Sequence, residues 1–167
     1  MRLLVISDTH VHAIDENARN FVDIVSNHEF DKVIHCGDWV SEDFFNFLSN
    51  KFDVIGVYGN MDEFSLQMKL PALFIGEIGG YRIGIFHGRG SPSETYDMVF
   101  DIASRERVNF MFFGHTHEMF FKKINDILFF NPGSSRYPYG SYLIIDTEKD
   151  EAYFYNLSRE LIKKLKY

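Results

Sequence analysis

A chain of 167 residues with 46% apolar content has room for one well-buried domain, expected over residues 1–167, and little for a second. A net charge of −7 at pH 7 argues against stable nucleic-acid binding, which needs a basic footprint, and is compatible with a small anionic substrate at local positive charge. Cys36 is the only cysteine, so no intramolecular disulfide forms, and no apolar stretch approaches the roughly 20 residues of a membrane span. Strand-like sequence starts at Leu3, which leaves no space for a signal segment and makes the cytoplasm the expected location. The 18 Phe and 9 Tyr predict an aromatic-rich core, or equally a subunit interface in a homo-oligomer.

The first half reads as βα repeats. Leu3 to Ile6 is strand-like and stops at Asp8-Thr9-His10, after which Ile14, Ala18, Phe21, Val22 and Val25 follow a helical period. Val33-Ile34 leads through His35 and Cys36, both expected in the core, into Gly37-Asp38. Ser41 suits the N-cap of a short helix with Phe44, Phe47 and Leu48 inward. Val54 to Tyr58 runs into Gly59-Asn60-Met61-Asp62, and Phe64 to Leu70 forms a helical turn ended by Pro71. Strands alternating with helices argue for parallel pairing and right-handed crossovers.

The second half is different. Gly79-Gly80 between Ala72–Ile78 and Tyr81–Phe86 signals a hairpin, and the second run ends at His87-Gly88. Ser91, Pro92 and Glu94 form a capping-box helix start, followed by the apolar face Tyr96, Val99, Phe100 and Ala103. Phe110 to Phe113 runs into Gly114-His115-Thr116-His117. Asn125-Asp126 and the Thr147–Glu151 turn each join two further strand-like runs, and Ser158 is expected to start a final short helix ending in Lys163 to Lys166. Two sheets packed face to face with helices outside would accommodate both halves.

Five apolar runs thus stop at metal-type ligands: Asp8, His10, Asp38, Asn60, His87, His115 and His117. Ligands of open α/β sheets gather beyond the carboxyl ends of strands, and residues two apart in an extended segment point to one side. Packing gives no reason to end five strands this way. Seven oxygen and nitrogen donors without thiolates exceed one tetrahedral ion and suit two divalent ions sharing a carboxylate. Such ions, ~3.5–4 Å apart, clamp both oxygens of an in-line phosphoryl displacement and lower the pKa of a bridging water toward neutrality, giving a hydroxide nucleophile. Mixed ligation fits Mn, Ni, Fe, Zn or Co without choosing among them.

Taken in order, Asp8-x-His10, Gly37-Asp38, Gly59-Asn60-x-Asp62, His87-Gly88 and Gly114-His115-x-His117 resemble the calcineurin-like metallophosphoesterase superfamily. The short chain and Asn131-Pro132-Gly133-Ser134 make it most similar to the small archaeal and bacterial phosphodiesterases of that family, over Leu3 to about Ile145. The resemblance implies an α/β fold, a four-layer αββα sandwich of two mixed β-sheets flanked by helices. It implies one metal on Asp8, His10, Asp38 and His117, and a second on Asp38 as bridge with Asn60, His87 and His115. It also implies hydrolysis of a small phosphodiester or nucleotide, with Asn60, Asp62 and His87 as catalytic residues. Many members have histidine after the Gly-Asn pair as leaving-group acid; here that position is Met61, which has no proton to give.

Arg89 follows His87-Gly88 and Arg136 follows Asn131-Pro132-Gly133-Ser134, and both are expected to bind substrate together with Asn60. His28 and His12 are expected as structural histidines, the alternative for His12 being support of the adjoining ligand loop. Trp39 is expected to pack at the rim, with stacking on a substrate base as the alternative. A phosphomonoesterase or nucleotide pyrophosphatase would use the same centre. A protein-binding scaffold like the retromer subunit of this fold is the reading from another class, and the complete ligand set speaks against it.

Overall fold

Residues 1–167 are described by a computed structural model. Its elements in chain order are β1 (Arg2–Ile6), α1 (Glu16–Val25), β2 (Lys32–His35), α2 (Glu42–Ser49), β3 (Val54–Gly56), α3 (Phe64–Lys69), β4 (Leu73–Ile78) and β5 (Tyr81–Phe86). Then follow α4 (Pro92–Glu106), β6 (Phe110–Phe113), β7 (Met119–Ile124), β8 (Ile127–Pro132), β9 (Ser141–Asp146), β10 (Glu151–Asn156) and β11 (Leu161–Lys166). No helix is long and apolar enough to cross a membrane.

Period-two alternation within the strands sets the layers. On β1, Leu3 and Val5 face an inter-sheet core that includes Phe110, Phe112, Phe130 and Phe154. Leu4 and Ile6 face the other way, onto Phe21, Val22 and Val25 of α1 and Phe44 and Leu48 of α2. The same division recurs on β6, where Met111 and Phe113 turn outward onto Val99, Ile102 and Ala103 of α4. The expected four layers follow: helices, a six-stranded sheet, a five-stranded sheet, a helix.

The first sheet has the order β11-β10-β9-β1-β2-β3 and the second β4-β5-β6-β8-β7. β1, β2 and β3 pair in parallel, as do β5, β6 and β8, while the later strands and both outer strands of the second sheet pair antiparallel. Both sheets are therefore mixed. At the β4–β5 hairpin, Gly79 and Gly80 have φ of +59° and +82°, as the two-residue turn requires.

One expected element is wrong. The chain after Ser158 is not a helix but strand β11, paired antiparallel with β10 through Ala152↔Leu165 and Tyr153↔Lys164. Ser158 lies in the turn, which Asn156 closes by accepting from Glu160 N–H at 2.9 Å while Arg159 takes φ +67°. A short lysine-rich helix is costly to nucleate alone, whereas the open edge of β10 offers ladder bonds and the Lys164–Glu151 ion pair at 2.7 Å.

Candidate metal centre

The ligand loops leave their strands by backbone that few residues adopt readily. Asp8, His10, Asp38, His115 and His117 have φ between +49° and +69°, five of the ten non-glycine residues with positive φ. Asp and His tolerate this region better than most residues, and such strain concentrates at functional sites. Two glycines make room: a Cβ at Gly59 would collide with Asp38 Oδ1, and one at Gly114 with Ser7 Oγ and Asp8 Oδ2.

These loops bring five of the seven expected ligands into two groups, Asp8/His10/His117 and Asp8/Asp38/His87, each with ligand atoms within 4.8 Å of one another. His117 Nε2 lies 3.2 Å from Asp8 Oδ1, and His10 Nε2 lies 3.4 Å from His117 Nε2. Asp38 faces both groups, with Oδ1 3.3 Å from His87 Nε2 and Oδ2 3.9 Å from His10 Nε2. Asp8, Asp38 and His87 are buried, while His117 stands at the open side.

Surrounding bonds aim the donors. Asp8 Oδ2 accepts from Ser7 Oγ at 2.6 Å and from His115 N–H at 3.1 Å, leaving Oδ1 turned inward. His87 Nδ1–H donates to Cys36 O at 2.8 Å, which fixes the tautomer and leaves the Nε2 lone pair toward the carboxylates. Asp8 Oδ1 and His87 Nε2 are both buried without a hydrogen-bond partner. Unpartnered buried polar atoms are rare and costly, and a cation between them would remove the cost. The donor set therefore fits divalent metal.

Burial pushes the His87 imidazole down, but the Asp38 and Asp8 carboxylates outweigh it and hold the ring above its ordinary value. His117 is raised by its contact with Asp8, whereas burial leaves His10 lowered despite Asp38 and Asp8. Burial pushes Asp38 up, and contacts with His87 and the Met61 N–H bring it below the usual carboxylate range.

The other expected site residues are placed nearby. His115 packs its ring 5.2 Å from that of His87, and its Nε2–H donates to Gly90 O at 2.8 Å, which leaves Nδ1 as the free donor. Asn60 is exposed and lines a cavity together with His87 and Arg89. Arg136 lines a second cavity with His10 and His12, and neither arginine forms an ion pair. Asp62 accepts from Val40 N–H and Gly59 N–H, both at 2.7 Å. With both its oxygens so engaged, it braces the Gly59-Asn60 turn.

Trp39 is not at a rim. It is fully buried, stacked on His35 at 3.5 Å, and donates from Nε1 to Val57 O, out of reach of any substrate. His35 does more than fill the core: Nδ1 accepts from Gly37 N–H at 3.1 Å, so Nε2–H donates to Thr9 Oγ1 at 3.0 Å, tying two ligand loops together. Burial holds it well below its ordinary pKa, in the neutral form this bonding needs. His35→Phe keeps the stacking and loses both bonds; an activity loss of about 10–100-fold, usual for residues that support ligands, is expected in a hydrolysis assay at unchanged fold. Asn131 donates to Gly114 O at 2.9 Å and Thr116 Oγ1 at 3.1 Å, and Ser134 Oγ donates to Asp8 O at 3.0 Å. The Asn131–Ser134 motif thus props the ligand loops; in the sequence it carried the family resemblance without showing this role.

Residues 1–150 match the calcineurin-like phosphoesterase superfamily domain. A phosphodiesterase of Methanocaldococcus jannaschii is 31% identical over 174 residues, covering 90% of this chain and 96% of that protein. Among solved structures, an archaeal phosphodiesterase superposes with TM-score 0.77 at 29% identity over 94% of this chain and 100% of its own. A Vps29 variant from Entamoeba histolytica superposes with TM-score 0.82 at 23% identity, over 100% and 99% of the two chains, a likeness of fold. By match and by donor set, the chain belongs to the calcineurin-like phosphoesterase superfamily and is a metal-dependent phosphoesterase.

Proposed function

We propose that the chain is a phosphodiesterase whose site holds two divalent ions, one on Asp8, His10, Asp38 and His117 and one on Asp38, Asn60, His87 and His115. The carrying observation is the pair of buried, unpartnered atoms, Asp8 Oδ1 and His87 Nε2, within converging carboxylates and imidazoles. The assignment of Asp38 as the bridge is supported by its two oxygens, one toward His10 and one toward His87. When bound, the ions supply Lewis-acid charge and an activated water for in-line displacement at phosphorus.

The chain's own residues orient that chemistry. The Cys36 carbonyl and the Gly90 carbonyl fix the tautomers of His87 and His115. Arg89 and Arg136 stand at different cavities beside the ligands, where each can hold a phosphate oxygen, and Asn60 does so beside His87. Asp62 acts by positioning Asn60 through the Gly59 turn. Met61 supplies no proton, and general-acid help is worth roughly 10²–10⁴ in rate. Diesters with good leaving groups are therefore the fast substrates.

The test is hydrolysis of bis-p-nitrophenyl phosphate and p-nitrophenyl phosphate by metal-stripped protein, before and after adding Mn²⁺, Ni²⁺, Zn²⁺ or Mg²⁺. Metal-dependent release from the diester well above the monoester is expected. Preference for the monoester would replace the reading by a phosphomonoesterase. Silence with every metal, in protein binding two ions, would replace it by a scaffold.

A further inference from the structure

A phosphodiester carries two ester arms, so a site built for it needs space on both sides of the phosphate. Three cavities reach the candidate ligands, and they form two regions. In the first, which shares Arg136, a cavity of about 260 Å³ runs from His10 and another lies beside His117. The second is a single cavity of about 460 Å³ that opens from Asn60 and His87 between Tyr58 and α4.

The cavity of the second region has a defined chemical character. Its lining includes Phe86, Met98 and Ile102, with exposed Ala72 at the edge. Arg105 in its wall is committed to Asp101 at 3.2 Å and to Glu106 at 3.7 Å. Arg89 has no carboxylate partner, and its Nε lies 3.3 Å from Met98 Sδ, which holds the guanidinium across the apolar wall. The volume falls in the ~300–1,000 Å³ range of small-molecule sites.

Building on the phosphodiesterase reading above, we propose that this cavity binds one ester arm of the substrate, and that the arm is a planar aromatic group, a nucleobase or aryl ring. A thioether and a tyrosine ring favour an aromatic face, and an unpaired guanidinium can stack on a ring or bond its polar edge. An anionic arm would meet Asp101, and a small polar arm would leave the apolar wall against water.

The test is calorimetric binding of phenylphosphonate and methylphosphonate to metal-loaded protein, with bis-p-nitrophenyl phosphate hydrolysis followed in parallel. Phenylphosphonate is expected to bind at least about tenfold tighter, the usual return on burying a ring. Ala72→Trp, at an exposed position, fills the cavity and should abolish that preference at unchanged methylphosphonate affinity. Met98→Ala should reduce it several-fold. Equal affinities in the wild type, a preference untouched in both variants, or equal loss of both ligands would overturn the proposal. Retained preference without hydrolysis of any phosphoester would instead overturn the phosphodiesterase reading, and with it the identification of the bound group as an ester arm.

Discussion

Asp8→Ala is expected to lower metal-dependent phosphodiester hydrolysis by more than about a hundredfold while the chain stays folded. Residues that merely support metal ligands are worth about 10–100-fold, and Asp8 is itself a proposed ligand with its carboxylate among the converging donors, so its loss should exceed that range. The fold should survive because Asp8 Oδ1 makes no hydrogen bond, and removing a buried carboxylate relieves its desolvation. Against this stand the acceptor lost by Ser7 Oγ and His115 N–H, about 1–3 kcal/mol, and the attraction of Asp8 for His117 and His87 when these are protonated. Asp8→Asn separates charge from shape, because the amide oxygen still accepts those two bonds. It should therefore melt like the wild type and be as inactive as Asp8→Ala. Activity of Asp8→Asn near the wild-type rate would show that the centre is elsewhere.

The second large effect is on pH. Ligand histidines must be neutral to bind metal, and each proton released makes affinity climb by about tenfold per pH unit below the group's pKa. His87 and His117 are both held above the ordinary histidine value of about 6.5 in the metal-free protein, because the Asp8 and Asp38 carboxylates outweigh burial, which acts the other way. Their protonated forms therefore persist to higher pH than in a free histidine. The direction follows: metal affinity falls as pH drops through and below neutrality, most steeply below about pH 6.5, and activity at limiting metal falls with it. Titrating Mn²⁺ into metal-stripped protein at pH 5.5, 6.5 and 7.5 checks this. Equal affinities across that range would exclude histidine ligation at either position.

Folding stability has its own pH term. His35 is buried neutral with its pKa well below the ordinary value, so the unfolded chain binds its proton first. Its contribution is fully present above about pH 6.5 and is lost as pH falls from there toward the folded value.

The ligand positions were legible because donor chemistry is local. A strand that stops at Asp, His or Asn announces itself without knowledge of the fold, and so do Gly79-Gly80 and the Ser91 capping box. What escaped notice depends on distant partners. β11 forms because β10 offers an edge, and nothing within Leu161–Lys166 records that edge. Trp39 beside Asp38 was expected to pack at the rim, yet His35 at the end of β2 stacks on it and Val57 O, just past β3, accepts its N–H. Asp62 was expected among the catalytic residues from its place in Gly59-Asn60-x-Asp62, but the Val40 and Gly59 amides that engage it are visible only once the loops meet. The left-handed backbone at Asp8, His10, Asp38, His115 and His117 had only a weak sequence marker, because Asp and His tolerate it better than most residues but far less freely than glycine.

The most direct test of the central claim is metal stoichiometry against activity. Metal-stripped protein would be titrated with Mn²⁺, the ions per chain counted by native mass spectrometry, and diester hydrolysis measured at each point. Two ions per chain, with activity rising as the second is taken up and at least one ion lost from Asp8→Asn, is the expected result. Full activity with one ion, or hydrolysis by protein holding none, would contradict a centre built by these five strand ends.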